Sequence, residues 1–372
     1  MSRHLLVVLA SLVLLFDAAA STATCPAKGW ADWQQTQMRM LSHDGRVIDF
    51  SDPRQITTSE GQSYALFFAL VDNNQPLFNN ILQWTQDNLA RGDLSSNLPA
   101  WLWGKKEDAS QGVIDDNSAS DSDLWIAYTL VEAGRLWKIH QYASLGQQML
   151  QLISSKEVAD IPGLGTMLLP APKGFVDDGQ FRLNPSYVPP QVVARLAHGF
   201  GEPWSQMYRN VPRLLIETSP HGLAPNWTRW VAQEGFKPAN DQERTGSYDA
   251  IRVYLWVGML DSQATDAQTL KDHFRAIGRF VDAQGYVTET INVMTGTAEG
   301  NSTAGPGFSA ALLPLLQKSS IGPRLFNAVD SPREQPLGYY NQMLTLFGKG
   351  WFEGRFQFDK DGRLEPSWMH CQ

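Results

Sequence analysis

The chain has 372 residues, 43% hydrophobic and 18% charged, with a formal net charge of -8. An acidic chain without a basic cluster argues against nucleic acid or an anionic membrane surface as partner and suits a neutral ligand. Two cysteines, Cys25 and Cys371, exclude a disulfide framework, and the seven histidines lack metal-ligand spacing, so no metal is expected.

At the start of the chain, Arg3 and His4 precede an apolar run from Leu5 to Phe16, then small residues. The run is too short to span a bilayer comfortably. Residues 1–23 are therefore expected to be a secretory signal cleaved after Ala20 or Ala23. Residues 24–372 would then be periplasmic or secreted, with no membrane insertion after cleavage. Cys25 and Cys371 lie near the two ends of that segment, and whether they pair stays open. No Ser/Thr/Pro-rich linker divides it, which favours one large domain.

Helical periodicity dominates the rest of the chain, and strand signals are few. Tyr64–Val71, Leu124–Trp137, Ile251–Leu260, Ala310–Leu316 and Tyr339–Phe347 are apolar on most sides, as expected of helices buried in a larger assembly. Between them run amphipathic stripes, Phe78, Ile81, Leu82 and Leu89 in one, Leu270, Phe274 and Ile277 in another. Glu60, Asp121, Tyr187, Asp249 and Phe308 each stand at or near the start of an apolar segment, at intervals of about 60 residues. The unit around Tyr187 is the least regular and reads as broken early by Pro189-Pro190. The fold class is all-α: a toroid of helical hairpins whose inner helices present their first turns to one face, with an open α-solenoid as the alternative.

Three of those starts carry a carboxylate: Thr57-Thr58-Ser59-Glu60, Ser120-Asp121-Ser122-Asp123 and Ser247-Tyr248-Asp249. Each alone reads as well as an ordinary helix cap, because the dipole favours acids in a first turn. Together on one face they would give the pair of carboxyls that glycosidic cleavage needs, one protonated and one ionised. The dipole opposes Glu60 as the acid, so burial and like-charged neighbours would have to keep it protonated. Trp101 and Trp103 flank Leu102 in a loop and could stack on sugar faces or fill the core. Gly61-Gln62-Ser63-Tyr64-Ala65 approaches a serine-hydrolase elbow but lacks the parallel-sheet context. Asn226-Trp227-Thr228 and Asn301-Ser302-Thr303 match glycosylation sequons.

Ala119-Ser120-Asp121-Ser122-Asp123, with Ile126-Ala127, Ala133 and Trp137, resembles the signature of glycoside hydrolase family 8. The Thr57–Tyr64 and Tyr248–Arg252 segments are similar to two further motifs of that family. Pro99–Lys106 and Pro162–Pro170 resemble its periplasmic members encoded with bacterial cellulose synthase. The resemblance implies an (α/α)6 barrel, a single catalytic domain over residues 24–372, and hydrolysis of β-1,4-glucan with inversion. It makes Glu60 the general acid, Asp249 the general base, and Asp121 the residue that holds the sugar at the cleavage point. Trp101, Trp103, Tyr187, Arg252 and Tyr340 would contact substrate, and Asp123 would be a structural partner. Ser122 departs from the usual Ala or Gly, which bears on hydrogen bonding around Asp121. No cofactor is implied, and a monomer is expected. A role in trimming cellulose beside the cellulose synthase machinery follows from the resemblance alone. The alternatives are the same chemistry on chitosan, xylan or mixed-linkage glucan, a non-catalytic glycan-binding toroid, and a polysaccharide lyase.

Overall fold

The computed structural model describes residues 29–238, 244–300, 302–332 and 337–370. The expected leader, Cys25, Cys371 and Asn301 of the second sequon lie outside them. The helices in chain order are α1 (Ala31–Met40), α2 (Ser59–Val71), α3 (Gln75–Leu89), α4 (Ser120–Trp137), α5 (His140–Lys156), α6 (Pro190–Phe200) and α7 (Trp204–Glu217). There follow α8 (Ile251–Gly258), α9 (Ala267–Phe274), α10 (Ala276–Gln284), α11 (Pro306–Leu316), α12 (Gly322–Asp330) and α13 (Tyr339–Phe352).

Two helix types alternate. In α2 every residue but Glu60 is buried, and α4 is buried without a break from Ser120 to Gly134. α8 is buried throughout, and α11 is buried after Pro306. Such helices have no solvent face and must sit inside. α3 instead buries Phe78, Ile81, Trp84, Thr85 and Leu89, and α7 buries Trp204, Met207, Val211, Leu214 and Leu215. Their single apolar stripe at helical spacing packs them outside the inner ring. The inner helices meet across the barrel axis. Tyr64 and Phe67 of α2, Trp125 of α4, Trp256 of α8 and Phe347 of α13 touch with ring centroids 4.9–6.5 Å apart. The axis is therefore a packed aromatic core. Between α11 and α13 the backbones approach so closely that a Cβ on Gly348 would stand 1.9 Å from Ala310 O. The ring closes where Gln342 Nε2 donates to Thr36 Oγ1 at 2.8 Å and Lys349 pairs with Asp32 at 3.1 Å. The all-α toroid is thus the fold.

Strands are more numerous than the sequence suggests. β1 (Thr57–Thr58), β2 (Leu102–Lys105) and β3 (Gln111–Asp115) form one antiparallel sheet, and β4 (Val158–Ile161) pairs with β5 (Gly165–Leu168). β6 (Val176–Asp177), β7 (Gln180–Leu183), β8 (Thr228–Val231) and β9 (Gly235–Lys237) form another. β10 (Thr245–Gly246), β11 (Ile291–Asn292) and β12 (Thr297–Ala298) make a third group, and β13 (Phe356–Phe358) pairs with β14 (Leu364–Pro366). Each strand has two to five residues, too few to show an alternating pattern. β1 to β12 lie in connections that run from an outer helix to the next inner one, at the inner helices' N-terminal ends. Connections at the other end are short, such as 72–74, 138–139 and 201–203.

The irregular unit around Tyr187 also differs from expectation. Pro185–Tyr187 is one 3-10 turn capped by Asn184, and Pro190 then opens α6. Proline suits a first helical turn, where its missing N–H has no partner to lose, so Pro189-Pro190 starts a helix instead of ending one. Under the barrel, buried Glu132 of α4 accepts Arg195 Nε at 2.6 Å, Arg135 Nε at 2.9 Å and the Leu364 N–H at 2.9 Å. This seals the β13–β14 hairpin onto the closed end, opposite the long connections.

Candidate active site

Thr58 Oγ1 accepts the Gly61 N–H at 3.1 Å, capping α2 and setting Glu60 in its first turn. Asp121 stands in the first turn of α4. Asp249 lies in the turn before α8, and Asn226 Oδ1 fixes that turn by accepting the Ser247 N–H at 2.8 Å and the Ala250 N–H at 3.0 Å. The Asn226 sequon side chain is thus committed to the fold.

The three acids converge on one guanidinium. Arg252 Nη1 donates to Glu60 Oε2 and, at 2.9 Å, to Asp121 Oδ2, while Nη2 donates to Asp249 Oδ1 at 2.7 Å. Nη1 also reaches Tyr64 OH at 3.2 Å, and the Arg252 side chain is 3% exposed. One buried cation cannot neutralise three carboxylates, of which Asp121 is buried and Glu60 and Asp249 are partly buried. A second uncompensated charge there is costly, so a carboxyl must keep a proton. Burial raises Glu60 from the usual 4.5 to about 7, Asp121 and Asp249 add to the rise, and Arg252 and Tyr339 oppose it. This is the balance that the helix dipole alone would not give. Burial likewise raises Asp121, against Arg252 and the Ser122 N–H. Asp121 Oδ1 accepts that N–H at 2.7 Å and Ser122 Oγ at 3.2 Å, so the residue that departs from the family pattern adds a bond to this carboxylate.

The flanking aromatics divide. Tyr187 stands with its ring 5.5 Å from the Arg252 guanidinium, and Tyr340 OH donates to Tyr248 O, next to Asp249. Trp101 is 36% exposed, and its carbonyl accepts the Ser59 N–H at 3.0 Å, which ties it to the start of α2. Trp103 does not join this group. It is buried against Trp84 at 5.4 Å, with the Arg46 guanidinium 4.1 Å from its ring. Trp101 stands before β2, which begins at Leu102, so strand alternation does not put the two tryptophans on one face. Trp103 anchors the loop that carries Trp101. Ser63 is fully buried, donates to Glu60 O at 2.8 Å and follows an antiparallel strand, so it is no nucleophile elbow.

Sequence reasoning missed several residues here. Tyr339 OH donates to Glu60 Oε1 at 2.9 Å. Trp227 packs on Phe175 at 5.7 Å with an 11° interplanar angle, lies 5.8 Å from Tyr187 and carries the Arg182 guanidinium over its ring at 4.3 Å. Asn226 was visible only as a sequon, and Tyr339 only as the first residue of an apolar segment.

A model of glycosyl hydrolases family 8 matches residues 6–354. An endoglucanase of Escherichia coli (strain K12) is 45% identical over 356 residues, covering 96% of this chain and 95% of that protein. An endoglucanase of Xanthomonas axonopodis pv. citri (strain 306) is 46% identical over 369 residues, covering 97% and 95%. The crystal structure of endo-1,4-D-glucanase from Vibrio fischeri ES114 superposes with a TM-score of 0.84 at 43% identity, covering 92% of this chain and 100% of that one.

Proposed function

The chain belongs to glycosyl hydrolase family 8 and is an endoglucanase, and we propose that it cleaves β-1,4-glucan with inversion through Glu60 and Asp249. The observation that carries this reading is the single guanidinium of Arg252 shared by three carboxyls from three inner-helix starts. A glucan chain lies across the face formed by the long connections. Glu60, raised to about 7, keeps its proton at mildly acidic pH and delivers it to the leaving glycosidic oxygen. Asp249, with its side chain 28% exposed, takes a proton from the water that attacks the anomeric carbon from the opposite side. Arg252 holds the two carboxyls through different nitrogens, and inversion needs room between them for the attacking water. Asp121 grips the sugar between them, and Trp101, Tyr187 and Tyr340 supply stacking faces.

Among the described residues no helix is long and apolar enough to cross a membrane. The apolar run near the start supports export with cleavage of residues 1–23, leaving a monomeric single domain in the periplasm or medium. The family motifs support action on cellulose as it is made. The test is hydrolysis of carboxymethylcellulose and cello-oligosaccharides by Glu60→Gln and Asp249→Asn. Each is expected to lose about 10²–10⁴-fold in kcat while still binding cello-oligosaccharide. A variant that keeps most of its kcat removes that residue from the chemistry.

A further inference from the structure

Behind Asp121 lies a second acid pair that glycosidic cleavage by Glu60 and Asp249 does not use. Asp121 and Asp123 are two residues apart in the first turn of α4, so their side chains leave the helix on roughly opposite sides. Asp121 faces Arg252, and Asp123 faces Glu157. Asp123 and Glu157, the residue after α5, are both fully buried. The two carboxyls are close enough to interact electrostatically, and Ser118 Oγ donates to Glu157 Oε1 at 2.5 Å. Neither oxygen of Asp123 takes a backbone N–H, so Asp123 is not a helix cap. Glu157 Oε2 likewise finds no N–H or side-chain hydroxyl donor. One proton held between the two carboxyls would satisfy an otherwise unpartnered oxygen on each.

We propose that Asp123 and Glu157 share one proton and together act as the positioning pair for Asp121, clamping the entry of α4 to the β4–β5 hairpin. This rests on the sugar-gripping role of Asp121. The backbone carries the clamp on either side. The Leu169 N–H donates to Glu157 O at 2.7 Å, the Ser120 N–H donates to Pro170 O at 3.0 Å, and Asn117 Nδ2 donates to Lys173 O at 3.0 Å. The residue after Ser120 is Asp121, so any opening between α4 and the hairpin displaces that carboxylate first.

The charged groups that face the pair are Asp121 on α4 and Lys156 at the end of α5. Burial, then the charge of Glu157, raises Asp123 well above the carboxylate range. Burial raises Glu157 from the usual 4.5 to about 8, with Asp121 adding and Ser118, Asp123 and Lys156 opposing. A folded value above the unfolded one means that the native state binds the extra proton. That stabilisation is fully present below about 4.5 and is lost as pH rises through about 8. When the proton leaves, two like charges stand buried beside Asp121.

The test uses the full chain with Glu157→Gln and Glu157→Ala, measuring kcat, KM and melting temperature across the pH range. Gln can donate to Asp123 and accept from Ser118 without a proton. Glu157→Gln is expected to keep kcat within about twofold and to flatten the alkaline fall in melting temperature. Glu157→Ala is expected to lower kcat about tenfold or more, the scale of a misplaced contact group. If Gln and Ala behave alike, or if Glu157→Gln leaves the pH slope of the melting temperature unchanged, the inference is overturned. Asp121→Asn assayed beside them separates the two readings. Full activity there removes the role of Asp121 and this inference with it, whereas an inactive Asp121→Asn with indistinguishable Glu157 variants removes the inference alone.

Discussion

Arg252 stands at the centre of the site as the one cation among three carboxyls, and its own burial makes its replacement a charge problem as much as a binding one. Burial raises Glu60 to about 7, and Tyr339 opposes that rise. Its hydroxyl donates to Glu60 Oε1 and so favours the ionised acid. Removing that bond raises the pKa. The proposed role of Glu60 as general acid requires it protonated in the free enzyme, so kcat/KM of the wild type is expected to fall as pH rises through about 7. In Tyr339→Phe the same fall is expected at higher pH, read from kcat/KM profiles on a soluble glucan. A limb that stays put or moves down would show that Tyr339 does not set the acid. The acids themselves were legible in the sequence because each opens an apolar helix. Tyr339 was not, since its contact with Glu60 spans 279 residues and leaves no local pattern.

At the scale of elements, what the sequence displays well is total burial. Runs such as Tyr64–Val71 and Ala310–Leu316 have no polar stripe, and the inner ring follows from them. What it hides is close approach. Gly348 sits inside α13 where helix propensity would prefer alanine, yet its missing Cβ is what lets α11 lie against it. Gly348→Ala is therefore expected to destabilise by about 1–3 kcal/mol or more, despite the better helix former. Thermal unfolding reads this as a lowered melting temperature, and an unchanged or raised one would refute the packing argument. The short strands were equally hidden. Two to five residues cannot carry a period, and the hairpins exist because helix ends hold them. Trp103 shows the consequence: Trp101 and Trp103 look equivalent in the sequence, but β2 holds Trp103 onto Arg46 while Trp101, just outside the strand, is exposed.

In the whole molecule, the alternation of inner and outer helices places every long connection at one end and seals the other with Glu132 and the β13–β14 hairpin. A faint repeat of about 60 residues was the visible trace of that plan. It placed Glu60, Asp121 and Asp249 on one face but could not show that Arg252 would gather them, nor that Asp123 would turn away to meet Glu157. Inversion requires Glu60 and Asp249 to act from opposite sides of one glycosidic bond. Proton NMR of the first products released from a cello-oligosaccharide tests this directly. The α-anomer should appear first and convert to the equilibrium mixture by mutarotation, whereas initial release of the β-anomer would contradict the assignment of Asp249 as the base.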